Sequence, residues 1–90
     1  MEFEWDDDKF ATNLAKHKVD FRRAALIFRG RVVTREDRRR DYGEVRQVSI
    51  GMLGSDVYVV VHTERNGITR IISARIGGRR DRKDYYANLA

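Results

Sequence analysis

Arginine recurs every five residues, at Arg65, Arg70 and Arg75, near the ends of two β-branched runs, DVYVVVHTER and ITRIISARI. A guanidinium held among alternating valines and isoleucines is better positioned than one on a loop. Its planar fork suits phosphate better than a lysine point charge does. Preorganised cations of this kind stabilise charge that develops on a phosphate during transfer. The plain structural reading is a rim arginine paired with Glu64 or Glu44. Beyond Gly77-Gly78 comes RRDRK, holding Arg79, Arg80, Arg82 and Lys83. Basic groups at a helix N-terminus oppose its dipole, so this charge does not serve the helix, although Asp81 and Asp84 partly neutralise it.

The stretch RRRDYGEVR, residues 38–46, adds three arginines before Tyr42, whose ring could stack on a base, and the carboxylates Asp41 and Glu44. A carboxylate beside arginines stays ionised and can accept a proton. A charged connection with internal ion pairs is the competing reading. His17 falls on a polar helix row with Lys9 and Asn13, and imidazole works as acid or base near neutral pH. A cap on the helix's last carbonyls would use it equally well. His62, between Val61 and Thr63 in a strand, reads as structural.

Composition narrows the chemistry. The 90 residues contain no cysteine, which removes disulfides, thiol catalysis and cysteine-bound zinc. The two histidines have no metal-cluster spacing, so neither cofactor nor metal is expected. Fifteen of the nineteen basic residues are arginine, and the net charge is +5. That charge is uneven, −3 over residues 1–20 and +8 over residues 21–90. With a pI of about 10.0, this is the footprint of a nucleic-acid binder or of a chain with an acidic protein partner. No run approaches the roughly 18–20 apolar residues of a membrane span, and the acidic start is unlike a secretory signal. A cytoplasmic protein with no membrane association is expected.

The elements that must position these residues follow from periodicity. MEFEW alternates as a short strand, and Asp6 to Asp8 cap the helix DDKFATNLAKH, with Phe10 and Leu14 on its apolar stripe. Asp20 caps a second helix bearing Phe21, Ala24, Ala25 and Phe28, which Gly30 ends. Strands follow at RVVTRED, VRQVSIGML, DVYVVVHTER and ITRIISARI, with turns at LGSD and at Asn66-Gly67. RRDRKDYYANLA closes the chain as a helix. One domain results, of order β-α-α-β-β-β-β-α. It is an α+β fold with helices over one face of a mainly antiparallel sheet of four to five strands, the other face partly open. Strict alternation puts Arg70, Ile72 and Ala74 on one face of the last strand and Ile71, Ser73 and Arg75 on the other.

Several stretches together resemble the BrnT family of type II toxins: EWDDDKFATNLAKHKVDF, RRDYGEVRQVSIGML, VVVHTER, RIISAR and RRDRKDYY. The resemblance implies a small RelE-like ribonuclease that cuts RNA and arrests translation. It also implies a ribbon-helix-helix antitoxin, with DNA reached only through the toxin–antitoxin complex; a homodimer of the free chain is an allowed state. Three positions depart from the family pattern. Lys18 stands where glycine is usual after the histidine, Gly78 where threonine would cap the last helix, and Asp81 where glutamate is expected.

On this resemblance, metal-free chemistry would be attack by the RNA 2′-hydroxyl on the adjacent phosphate. Arg65 and Arg75 would hold the scissile phosphate, and Arg79 and Arg80 the flanking phosphates. Glu44 or His17 would accept the proton, and Tyr42 would stack on a base. Lys9 and Arg46 join as further RNA contacts. A non-enzymatic basic nucleic-acid-binding module and an inert antitoxin-docking subunit are the alternatives from other classes.

Overall fold

The computed structural model describes residues 1–89, and five strands form one mixed sheet in the order β1-β5-β4-β3-β2. The strands are β1 (Phe3–Trp5), β2 (Val32–Glu36), β3 (Gln47–Leu53), β4 (Asp56–Arg65) and β5 (Ile68–Ile76). Only β1 runs parallel to its neighbour, β5; the other three pairings are antiparallel. Asn66 and Gly67 have φ of 54° and 77°, the two left-handed positions that a tight hairpin between β4 and β5 requires.

Helix α1 (Asp7–His17) begins where the Asp6 carboxylate accepts the Lys9 N–H at 3.1 Å, one of the donors a helix start leaves unpaired. It ends at Lys18 in the left-handed conformation, φ 61°, which costs a non-glycine residue roughly 1–2 kcal/mol. Two bonds offset that cost: the Lys18 N–H donates to Leu14 O and its Nζ to Ala15 O. Helix α2 (Phe21–Ala24), capped by Asp20, tightens into a 3₁₀ turn, Ala25–Arg29. Helix α3 (Arg79–Asn88) starts at Gly78, whose N–H donates to Asp81 Oδ2 at 2.9 Å.

The core has two halves, one on each side of the sheet. Tyr58, Val60, Ile71 and Ala74 pack with Val19, Phe21, Ala24 and Ile27 from the α1 and α2 side. Val48, Ile50, Val57 and Val59, which alternate with the first set, pack with Tyr85 of α3. The helices therefore lie on both faces, and the expectation that they cover one face is corrected. The apolar run of β4 is buried on both of its sides, and a strand in that setting needs cover on each. The apolar stripe of α1 is also narrower than its spacing predicts: Phe10 joins the core, whereas Leu14 is 41% exposed.

A β-bulge decides what faces where. His62 pairs with Ile71 and Val61 with Ser73, so Ile72 is the extra residue in β5. Alternation resets there. Arg75, opposite Val59, and Arg70, opposite Thr63, share the α3 face with Arg65, opposite Ile68. Strict alternation separated Arg70 from Arg75, and the bulge reunites them. Helix α3, about 15 Å long at 1.5 Å per residue, packs over Val57 and Ile50 and leaves the rest of its face open.

Candidate active site

The open half of the α3 face is a cleft of about 350 Å³ with a floor of Val48, Val59 and Val61. Arg35 and Arg75 enter it from β2 and β5, His17 from the end of α1, and Asp37, Arg38 and Arg39 from the segment after β2. Of the residues singled out by sequence, the structure thus brings His17 and Arg75 together.

His17 arrives there because Asn13 fixes α1. The Asn13 side chain is buried at the edge of β5, donating to Ala74 O at 2.8 Å and Val19 O at 3.2 Å. Its Oδ1 accepts the Ala74 N–H at 3.0 Å. Asn13 thereby replaces the neighbouring strand that β5 lacks beyond short β1, and His17 lies one helical turn further on. Lys9, one turn before Asn13, lines a groove of about 320 Å³ that also touches Ile72, Ser73 and His17. His17 and Ser73 line both hollows, so a basic track runs from Lys9 to Arg75.

Arg75 is held by Asp81 of α3. Its Nη1 donates to Oδ2 at 2.8 Å and its Nη2 to Oδ1 at 3.3 Å. The Arg75 guanidinium holds the Asp81 carboxyl below its ordinary value; burial opposes this, while the Gly78 N–H and the charge of Arg35 reinforce it. The shorter acid at position 81 therefore still reaches both the helix start and the arginine. Gly77 makes the turn possible: a Cβ there would sit 2.9 Å from Asp81 Cβ and 3.2 Å from Val57 Cγ1.

On the other wall, buried Asp37 accepts from Arg39 Nε and Nη2, both at 2.8 Å, and from the Arg39 N–H. Arg39 holds the Asp37 carboxyl well below the usual carboxylate range, outweighing burial. The Tyr42 hydroxyl, 3.3 Å away, also donates to it. Arg35 and Asp37 are functional candidates that sequence reasoning passed over. The signal lay in RVVTRED, where alternation puts Val33, Arg35 and Asp37 on one side of a strand.

The remaining candidates form a second cluster. Arg65 donates to Glu44 at 3.1 Å, and Arg46 lies 3.7 Å from the same carboxylate. The Arg46 guanidinium sits 4.0 Å from the Tyr42 ring centroid and that of Arg40 sits 5.3 Å away, so the ring already has stacking partners. Six steps along β4 lead from Val59, which pairs with Arg75, to Arg65, about 20 Å at 3.3 Å per residue. The placement of Arg65 and Arg75 around one phosphate is therefore corrected: they share a face but serve different ends of it. Glu44 belongs with Arg65, whereas His17 lines the hollow that Arg75 enters. Arg79 and Arg80 are exposed on the first turn of α3, outside the cleft lining.

Among the described residues, no helix is long and apolar enough to cross a membrane. No curated protein matches the chain. A family model does, over residues 5–81, a span that takes in the last residue of β1, all of α1 and the other four strands, and the Arg75–Asp81 pair. The chain belongs to the BrnT family, the ribonuclease toxins of type II toxin–antitoxin systems.

Proposed function

We propose that the chain is a metal-independent endoribonuclease of RelE-like architecture that arrests translation and growth and works in the His17–Arg35–Arg75 cleft. A single observation carries this reading. One imidazole and two strand-borne guanidinia, from three different elements, line one open hollow. His17 takes the proton from the RNA 2′-hydroxyl as that oxygen attacks the adjacent phosphorus. The bond to the 5′-oxygen then breaks, and the leaving oxygen is protonated from solvent in the open cleft, giving a 2′,3′-cyclic phosphate. Arg75 and Arg35 carry the charge gathered on the non-bridging oxygens, and Arg75, held beforehand by Asp81, needs no reorganisation.

Arg79, Arg80 and Lys9 hold flanking phosphates, and the Tyr42–Arg46 stack with Arg65 receives RNA further along the face. A ribbon-helix-helix antitoxin neutralises the toxin and supplies the contact with DNA. The test is digestion of labelled RNA by purified protein in EDTA. Wild type should cleave, Arg75→Ala should lose about 10²–10³ in rate, and His17→Ala should lose at least as much. Growth arrest on expression should fall in parallel. Intact RNA with a salt-sensitive gel shift would replace the nuclease with a binding module. Unchanged cleavage by both variants would place the chemistry elsewhere.

A further inference from the structure

A further hollow is remote from this chemistry. It is a groove of about 510 Å³ beside β1, lined by Phe3, Trp5, Leu26 and Phe28 and flanked by Arg22 and Arg29. Strand β1 closes one edge of the sheet and pairs only with β5 among the described residues. The Thr69 N–H donates to Glu2 O, so in a parallel ladder Glu2 and Glu4 turn their backbone toward β5. Phe3 and Trp5 therefore present N–H and C=O groups to the free edge. Free edges of this kind are templates for an added strand. The side chains of the same two residues pack toward the groove, with the rings of Phe3 and Phe28 5.5 Å apart.

Charge chooses the occupant. Glu4 of β1 is paired with Arg70 and lies on the opposite face by alternation. What borders the groove is basic: Arg29 is exposed, and the Arg22 side chain is 72% exposed although it pairs with Asp20. We infer that this groove receives an extended segment of the antitoxin. That segment adds as a sixth strand beside β1, placing alternate apolar residues against Trp5 and Leu26 and acidic residues on Arg22 and Arg29. The inference rests on the antitoxin partnership of the proposed function but not on the nuclease cleft, which lies on the other face. Antitoxin and RNA then engage separate surfaces.

The chain's one tryptophan lines the groove, so its fluorescence reports occupancy. Wild type, Arg29→Glu and Leu26→Asp are titrated with purified antitoxin produced from the reading frame beside the toxin gene, and backbone hydrogen exchange is read in each complex. Binding should shift Trp5 emission to the blue and protect the Phe3 and Trp5 amides. Arg29→Glu should weaken binding at least tenfold while leaving RNA cleavage unchanged. Arg29 is exposed, so this variant keeps the test valid where Leu26→Asp does not fold. A complex with Trp5 unaffected and Arg29→Glu binding as tightly as wild type overturns the groove and spares the partnership. Protection of Phe3 and Trp5 in the toxin alone assigns the edge to a second copy, and quenching of Trp5 by RNA assigns it to substrate; either overturns the inference. Failure of any complex to form removes the antitoxin reading and this inference together.

Discussion

Asn13→Ala tests whether one buried amide holds the site together. The substitution removes three hydrogen bonds, at 2.8, 3.0 and 3.2 Å. Each such bond contributes about 1 kcal/mol net, and a buried group left unpaired costs about 1–3 kcal/mol. Water reaches the strand edge once the side chain is gone, so a total near 3 kcal/mol is expected rather than the upper sum. For a domain of this size 1 kcal/mol moves the melting temperature by roughly 4–8 °C, so the midpoint should fall by about 12–24 °C. Urea unfolding followed by far-UV circular dichroism gives the free energy directly.

Asn13→Asp sharpens the reasoning. It keeps the acceptor for the Ala74 N–H but turns an oxygen toward Ala74 O and Val19 O, where a donor is needed. Buried against two carbonyls, the new carboxyl favours its protonated form. That variant should be less stable than Asn13→Ala at neutral pH and should recover as the pH falls. The reasoning is refuted if Asn13→Ala loses less than about 1 kcal/mol, or if Asn13→Asp is the more stable of the two at neutral pH.

Burial of His62, opposed by the charge of Glu64, pushes its imidazole below the ordinary value of about 6.5. The unfolded chain then binds the extra proton first, so stability should decline as the pH drops below about 6.5, by up to about 1.4 kcal/mol per unit. Asp20 and Asp81, both held below 3.8 by arginine, should add their loss only at more acid pH. Melting temperatures from pH 8 to 5 should slope in wild type and be flatter in His62→Gln; equal slopes would discard the assignment. Gly77→Ala forces a Cβ against Asp81 and Val57. It should cost about 1–3 kcal/mol by overpacking and lower cleavage further by shifting the Arg75–Asp81 pair, read as kcat against KM on a short RNA. Cleavage equal to wild type in Gly77→Ala would detach α3 from the site.

Much of the fold was readable because local signals agreed. The bounds of β4 and β5 follow from their β-branched runs and the Asn66-Gly67 turn, and α1 follows from Asp6 and the apolar spacing after it. The failures arose where one residue changed a count. The extra residue Ile72 leaves no mark on composition, yet it moves Arg75 to the face of Arg70 and Arg65. Position along a strand also hides distance across the sheet: Arg65 and Arg75 were expected at one phosphate, and pairing put Arg65 about 20 Å from Arg75. Arg35 escaped notice for the opposite reason, standing alone in its strand while its neighbours in the cleft come from elsewhere in the chain. Asn13 looked like one member of a polar row, because no sequence pattern says that a side-chain amide will stand in for a strand.

The pairing of the face's arginines bears on how such a site could work. Arg75 with Asp81, Arg39 with Asp37 and Arg65 with Glu44 each give part of their fork to a carboxylate. Those acids cancel the charge of the arginines they pair with as seen by a distant polyanion, which argues against a surface built for affinity alone. What they supply is orientation: a guanidinium anchored on one side presents its remaining N–H groups in a fixed direction. Arg35, with no ion pair among the described residues, keeps its full charge beside them. A face built this way binds RNA weakly at a distance and positions it firmly on contact. Substituting Asp81 by asparagine separates the two properties, because the cleft becomes more positive while Arg75 loses its anchor. RNA affinity at low salt should rise and the rate of cleavage should fall. A variant that gained in both would mean that charge, and not the direction in which Arg75 is held, limits the reaction.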